Sequence, residues 1–228
     1  MIKFCILGLT LVSLGCIARG PVTMERMSLN SVPWIEEVQG FKKYHPPLNK
    51  INLRTMYGGF DHPMNKPKST FGYGVRSNGK RDHTGIDLLA PIGTPIYSMY
   101  EGIIKEIRRT DPYSPKTKKG AHGKRVRIRS KKVLHGHDVD FLYAHLSNIP
   151  SDLQEGNFVR SGDLLGYTGI SGNARYIKGI SKNTQEQHLH LECRVDQDLI
   201  SLLGFGQAMS KDFSDEKVHY INPYLLLL

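Results

Sequence analysis

No stretch of this sequence sustains a long amphipathic helical period, and that narrows the fold more than any single motif. From "INLRTMYGGF" at residue 51 onward, short runs rich in Val, Ile, Leu and Tyr are cut by Gly, Pro, Asn and Asp at the interval of an all-β domain. The runs read as strands lie near Pro95–Tyr100, Gly102–Arg108, Lys124–Arg129, Asp140–His145, Asn157–Val159, Leu164–Tyr167 and His188–Val195. With 228 residues there is room for one domain with a proper core and a lead-in segment, and little for a second large domain. The expected class is all-β, mainly antiparallel sheets arranged as a barrel or sandwich.

The last run, "EQHLHLECR", sets His188 and His190 one residue apart. Side chains so spaced on a strand share a face, so both imidazoles project together while Leu189 and Leu191 turn the other way. Most of the ten histidines have plainer readings. His45 and His62 precede Pro, His122 sits in a basic loop and His219 lies near the C-terminal end; each is expected to be a surface or capping residue. "LHGHD" reads as a hairpin turn, with His135 and His137 solvated around Gly136. In "DHTGIDLLAPIGTPI", His83 and Asp87 suit a metal by type, but a straight strand would hold them roughly 13 Å apart. A bend at Gly85 would bring them together; alone, the pair reads as a turn cap beside an exposed His. "FLYAHLSNIP" alternates, with Leu142, Ala144 and Leu146 on one face and Tyr143, His145 and Ser147 on the other.

The start, "MIKFCILGLTLVSLGCIARG", has the order of a secretory signal: a Lys, an apolar stretch short for a membrane span, then small residues. Its "SLGC" resembles a bacterial lipoprotein signal in which Cys16 becomes the lipidated first residue; Ser13 stands where Leu is usual, leaving cleavage after Ala18 as the alternative. An uncleaved membrane anchor is the bland reading. Export leaves Cys193 without a disulfide partner among the three cysteines, so it is expected as a small buried apolar residue. The net charge of +10 is concentrated at residues 105–132, where Lys and Arg far outnumber Glu106 and Asp111. Such a field suits cell-wall polymers or anionic headgroups, or is simply a solvated rim. No nucleic-acid module is visible, and an exported chain argues against a nucleic-acid partner.

Zinc chemistry needs about three His or carboxylate ligands, an open position for water and a nearby base. The sequence supplies His83, Asp87 and one of the paired histidines as ligands, leaving the other of the pair and His145 to move protons.

Four runs, "HTGIDLLAPIGTPIYSMYEGII", "YAHLS", "GNFVRSGDLLGYTGISGNA" and "HLHLECR", in that order, resemble the lysostaphin-type zinc endopeptidases that cut the peptide cross-links of bacterial peptidoglycan. The resemblance covers roughly residues 55–225. It implies the duplicated-hybrid-motif fold, one Zn²⁺ on His83, Asp87 and His190, and His145 and His188 as the catalytic histidines. It also implies peptidoglycan as substrate and the cell envelope as location. The organisation expected is a signal segment at 1–16, a linker and lead-in with a short helix at 17–54, and a zinc metallo-endopeptidase domain at 55–228. Arg76 or Arg81 is a candidate for oxyanion stabilisation. The chain departs from the family in the insertion "RYIKGISKNTQEQ" and in a longer basic loop around Lys116–Lys119, both where a substrate groove would have its walls. The other reading is a non-catalytic wall-binding or hydrolase-regulating lipoprotein with a structural metal site.

Overall fold

The computed structural model describes residues 44–49, 74–76, 81–176, 187–202, 208–212 and 217–227. The expected signal with Cys16, most of the lead-in, His62, the side chains of Arg76 and Arg81, and most of the insertion before Gln187 lie outside the described residues.

Thirteen strands occur among the described residues: β1 (Gly74–Arg76), β2 (Arg81–His83), β3 (Gly85–Leu89), β4 (Pro95–Tyr97), β5 (Gly102–Arg108), β6 (Arg125–Leu134), β7 (His137–Ala144), β8 (Leu146–Asn148), β9 (Phe158–Val159), β10 (Leu164–Thr168), β11 (His188–Val195), β12 (Ala208–Asp212) and β13 (Lys217–Ile221). One short helix, α1 (Gln197–Leu202), follows β11. The fold is therefore mostly antiparallel β, as the texture of the sequence requires. A large sheet runs β12-β13-β11-β7-β6-β5-β9, a three-stranded sheet runs β4-β10-β8, and β1 pairs with β2. One edge of β11 is shared: β3 covers His188–Glu192 and β13 covers Cys193–Val195, while β7 lies along the other edge.

Alternation along these strands separates the two faces of the large sheet. Leu189, Leu191 and Cys193 of β11, Phe141 and Tyr143 of β7, and Val126 and Ile128 of β6 enter one apolar cluster with Ile96 of β4 and Leu165 of β10. Each fully buried Leu, Ile, Val or Phe among them contributes about 1.5–3 kcal/mol of transfer free energy. The Tyr143 hydroxyl accepts the Met99 backbone N–H at 2.9 Å, and Tyr100 stacks on Phe141 at 5.4 Å, fixing the segment after β4 to the large sheet. Leu48 joins the same cluster, and the His45 N–H donates to the Met99 carbonyl at 2.9 Å. The end of the lead-in thus contributes to the core. Cys193 is buried and free, its thiol pKa pushed up by burial, in keeping with the sequence reading.

Three departures from the sequence reading have local causes. β6 continues to Leu134 instead of stopping at Arg129, because a register shift between Ser130 and Leu134, with Lys132 at φ 51°, breaks the visible alternation. β7 ends at Ala144, not His145, which adopts φ 64° and leaves the strand. His219 is buried in β13 and hydrogen-bonded to Ser210 at 2.7 Å, because β12 covers a strand that the sequence reading does not mark. The "LHGHD" hairpin turn is present, with His135 at φ 49° and Gly136 at φ 80°, the paired positive values that a two-residue hairpin of this hand needs.

Candidate metal centre and active site

On β11 the side chains of His188, His190, Glu192 and Arg194 follow one another on the face opposite the apolar cluster. Antiparallel pairing sets Asp87 of β3 directly opposite His190. His83 closes β2, and the chain breaks at Thr84 before β3 starts, so the four-residue separation from Asp87 is not a straight run. The break between the strands falls at Thr84, directly before Gly85, where the bend is expected. Gly85 instead permits close strand packing, because a Cβ there would collide with the Leu191 carbonyl and keep β3 from lying against β11.

Three potential ligand atoms converge. His83 Nε2 and Asp87 Oδ1 are 3.1 Å apart, and His190 Nδ1 is 3.1 Å from the first and 2.9 Å from the second. His190 donates its Nε2–H to Glu192 Oε1 at 3.3 Å, so the neutral ring carries its lone pair at Nδ1. With protons on His83 Nε2 and His190 Nδ1 these contacts are hydrogen bonds to Asp87; with those protons gone, three lone pairs this close repel unless a cation lies among them. Tetrahedral zinc with bonds of about 2.0–2.1 Å spaces its ligands by roughly 3.3 Å, close to the sides of this triangle. Two imidazoles and a carboxylate also form a zinc donor set with a position to spare.

The electrostatics agree. Burial opposes ionisation of Asp87, yet the imidazoles of His83 and His188 and hydrogen bonds from His190 and His83 hold its carboxyl well below the usual carboxylate range. Burial also disfavours a charged His190, but hydrogen bonds to Asp87 and Glu192 raise its pKa to about 9. Burial, then the neighbouring rings of His188, His190 and His122, holds His145 well below the ordinary imidazole range.

His145 reaches this cluster by its backbone. Had β7 continued, alternation would have sent its side chain into the core beside Tyr143. Instead the left-handed residue, anchored by its N–H to the His122 carbonyl at 3.0 Å, swings the ring out. Its ring lies 5.2 Å from that of His188 and 5.5 Å from that of His190. The His145 Nδ1–H donates to the Ser171 carbonyl at 2.8 Å, which leaves Nε2 as an acceptor. His188 is buried, with Nε2 3.7 Å from Asp87 Oδ1.

All five residues singled out in the sequence, His83, Asp87, His145, His188 and His190, therefore lie together. Two more join them. His122, expected at the surface, stacks on His190 at 5.4 Å and donates Nε2–H to Glu192 at 3.1 Å. Glu192 is fully buried. Its presence was legible, because strand alternation alone puts it on the face of His188 and His190; His122 left no such signal.

Residues 81–202, just over half of the chain, match the profile of Peptidase family M23. The chain belongs to that family. This M23 chain is 35% identical over 144 residues to the DD-carboxypeptidase/endopeptidase Mpg of Neisseria meningitidis serogroup B, a match covering 61% of the chain and 27% of that relative. The chain thus spans about a quarter of the length of the curated relatives it matches. Among solved structures it resembles the catalytic domain of a point mutant of the prophage-encoded M23 protein EnpA of Enterococcus faecalis (29% identity, 55% of this chain, 78% of that one, TM-score 0.40). It also resembles the catalytic domain of the antimicrobial peptidase lysostaphin of Staphylococcus simulans (23% identity, 56% and 79%, TM-score 0.39).

Proposed function

We propose that this M23 chain is a zinc-dependent endopeptidase that hydrolyses amide bonds in the peptide cross-links of bacterial peptidoglycan. His83, Asp87 and His190 hold the single Zn²⁺, and His145 and His188 carry protons. The observation that carries this reading is the triangle of three ligand-type atoms, His83 Nε2, Asp87 Oδ1 and His190 Nδ1, 2.9–3.1 Å on a side, with two further imidazoles beside it. Zinc held there supplies a Lewis acid that polarises a scissile carbonyl and makes water acidic enough to attack near neutral pH. His145, neutral and with Nδ1–H tied to Ser171, offers Nε2 to the proton of the attacking water. As the carbon–nitrogen bond breaks, that proton passes to the leaving amine, with His188 as the second carrier. The name of the Neisseria relative supports testing DD-bonds first.

In the same reading, residues 1–16 direct export to the cell envelope and Cys16 carries a lipid anchor. The support is the order of charged, apolar and small residues there, together with the wall chemistry assigned to the chain.

The test is His145→Ala, assayed on purified walls by mass spectrometry of released muropeptides alongside zinc content. Loss of newly cut peptide bonds with zinc retained is expected. Zinc bound in the wild type with no new cut in any wall would instead favour the non-catalytic, wall-binding alternative.

A further inference from the structure

The mechanism above leaves unused a buried carboxylate next to the proposed metal ligands. Glu192 is fully buried, two residues beyond His190 on the same face of β11. A buried carboxylate without partners would cost several kcal/mol, and this one is surrounded by donors. Oε1 accepts Nε2–H of His190 at 3.3 Å, Nε2–H of His122 at 3.1 Å and the Thr84 hydroxyl at 2.5 Å. Oε2 accepts Nη2–H and Nε–H of Arg194 at 2.8 and 3.1 Å. The donors come from four places in the chain: the β2–β3 break, the basic loop, and two positions on β11 itself.

We propose that Glu192 is the positioning residue of the metal centre: by accepting Nε2–H of His190 it fixes the tautomer and ring orientation that turn Nδ1 toward Asp87 and His83. His122 and Thr84 hold the accepting oxygen in place, and Arg194 holds the other. The inference rests on the zinc site proposed above. A carboxylate behind a metal-bound imidazole raises its basicity, and loss of such a partner typically weakens metal binding by about 10–100-fold.

His122, His190 and Glu192 also bring ligand atoms within 4.8 Å of one another, the spacing of a second cation site. The Arg194 guanidinium and the Thr84 hydroxyl already occupy the carboxylate, and His190 would have to give up its Nε2 proton. These three groups therefore act as a hydrogen-bonded support for one ion.

The test compares the full-length wild type with Glu192→Gln, using zinc alone as the probe in competition with a chelator of known affinity. One zinc per chain is expected in both, with the variant about 10–100-fold weaker. Imidazole ¹⁵N NMR of the zinc-loaded wild type should show His190 bound through Nδ1 and protonated at Nε2, with that proton strongly hydrogen-bonded. In the variant the same proton should shift and exchange faster. Zinc bound through His190 Nε2, a second zinc per chain, or a folded variant within twofold of wild-type affinity would each overturn the inference. If the variant does not fold, the wild-type spectrum decides alone. His122→Phe keeps the stacked ring but removes one donor, so it should weaken zinc less than Glu192→Gln; a larger loss would place the positioning in the ring contact and contradict the assignment. Wild-type protein that binds no zinc defeats the metal reading itself, which these outcomes keep separate.

Discussion

The two faces of β11 share a backbone and differ in everything else. On one, Leu189, Leu191 and Cys193 pack without polar partners into the apolar cluster. On the other, His188, His190, Glu192 and Arg194 are also buried or half-buried, and their side chains lie among charged and polar partners: Asp87 opposite the histidines, Thr84 and His122 at the glutamate, Glu192 at the arginine. Burial on the first face is favourable by area alone. On the second it is tolerated only because hydrogen bonds and opposite charges replace water. A site assembled this way is specific in geometry, and its energy balance depends on each partner being present.

Substitutions on the polar face should separate the two most clearly. His188→Ala should lower wall hydrolysis by about 10²–10⁴-fold, the range for loss of a proton-transfer group, while zinc content and unfolding midpoint stay near wild type. A parallel fall in stability would make His188 a packing residue instead. On the apolar face Leu191→Ala should do the reverse, costing about 2–5 kcal/mol in denaturant unfolding and leaving the folded fraction able to bind zinc. A cost below about 1 kcal/mol would mean that the cluster relaxes around the void.

Acidification distinguishes the faces again, because only the polar one titrates. The His190 pKa, raised to about 9 by its two carboxylate partners, means that below that pH the metal-free ring holds a proton that zinc must displace. Apparent zinc affinity should therefore rise by about tenfold per pH unit between pH 7 and 9 and level off above, measured by chelator competition. A flat profile over that window would show that no ligand proton is exchanged. The smallest effect belongs to a surface pair: Lys131 and Asp138 meet at 2.6 Å beside the β6–β7 turn, with the Lys131 side chain 71% exposed. Lys131→Ala should change stability by less than about 1 kcal/mol in denaturant unfolding.

Much of this arrangement was legible in the residues, and what was not has physical reasons. Alternation in "HLHLECR" marks β11 and its division into faces, and the glycine of "LHGHD" marks the β6–β7 turn. The expected span of Gly102–Arg108 is that of β5. His145 is recognisable in sequence but not placed in space by it, since a left-handed φ at a histidine carries no propensity signal and reading on through it assigns the wrong face. His122 reads as a surface residue because its contact with His190 joins residues far apart in the chain. The basic run at 105–132 looks uncompensated because one of its partners lies beyond it: Asp140 of β7 takes Arg127 at 3.0 Å and Arg129 at 2.6 Å. Pairing across strands is invisible to a count along one.

The proposed function requires three side chains to meet at one ion, and anomalous X-ray scattering at the zinc absorption edge, on crystals of the full chain grown with one equivalent of zinc, locates that point. A single peak is expected within bonding distance of His83 Nε2, Asp87 Oδ1 and His190 Nδ1. A peak held by other residues, or none at that triangle, would refute the metal centre described above.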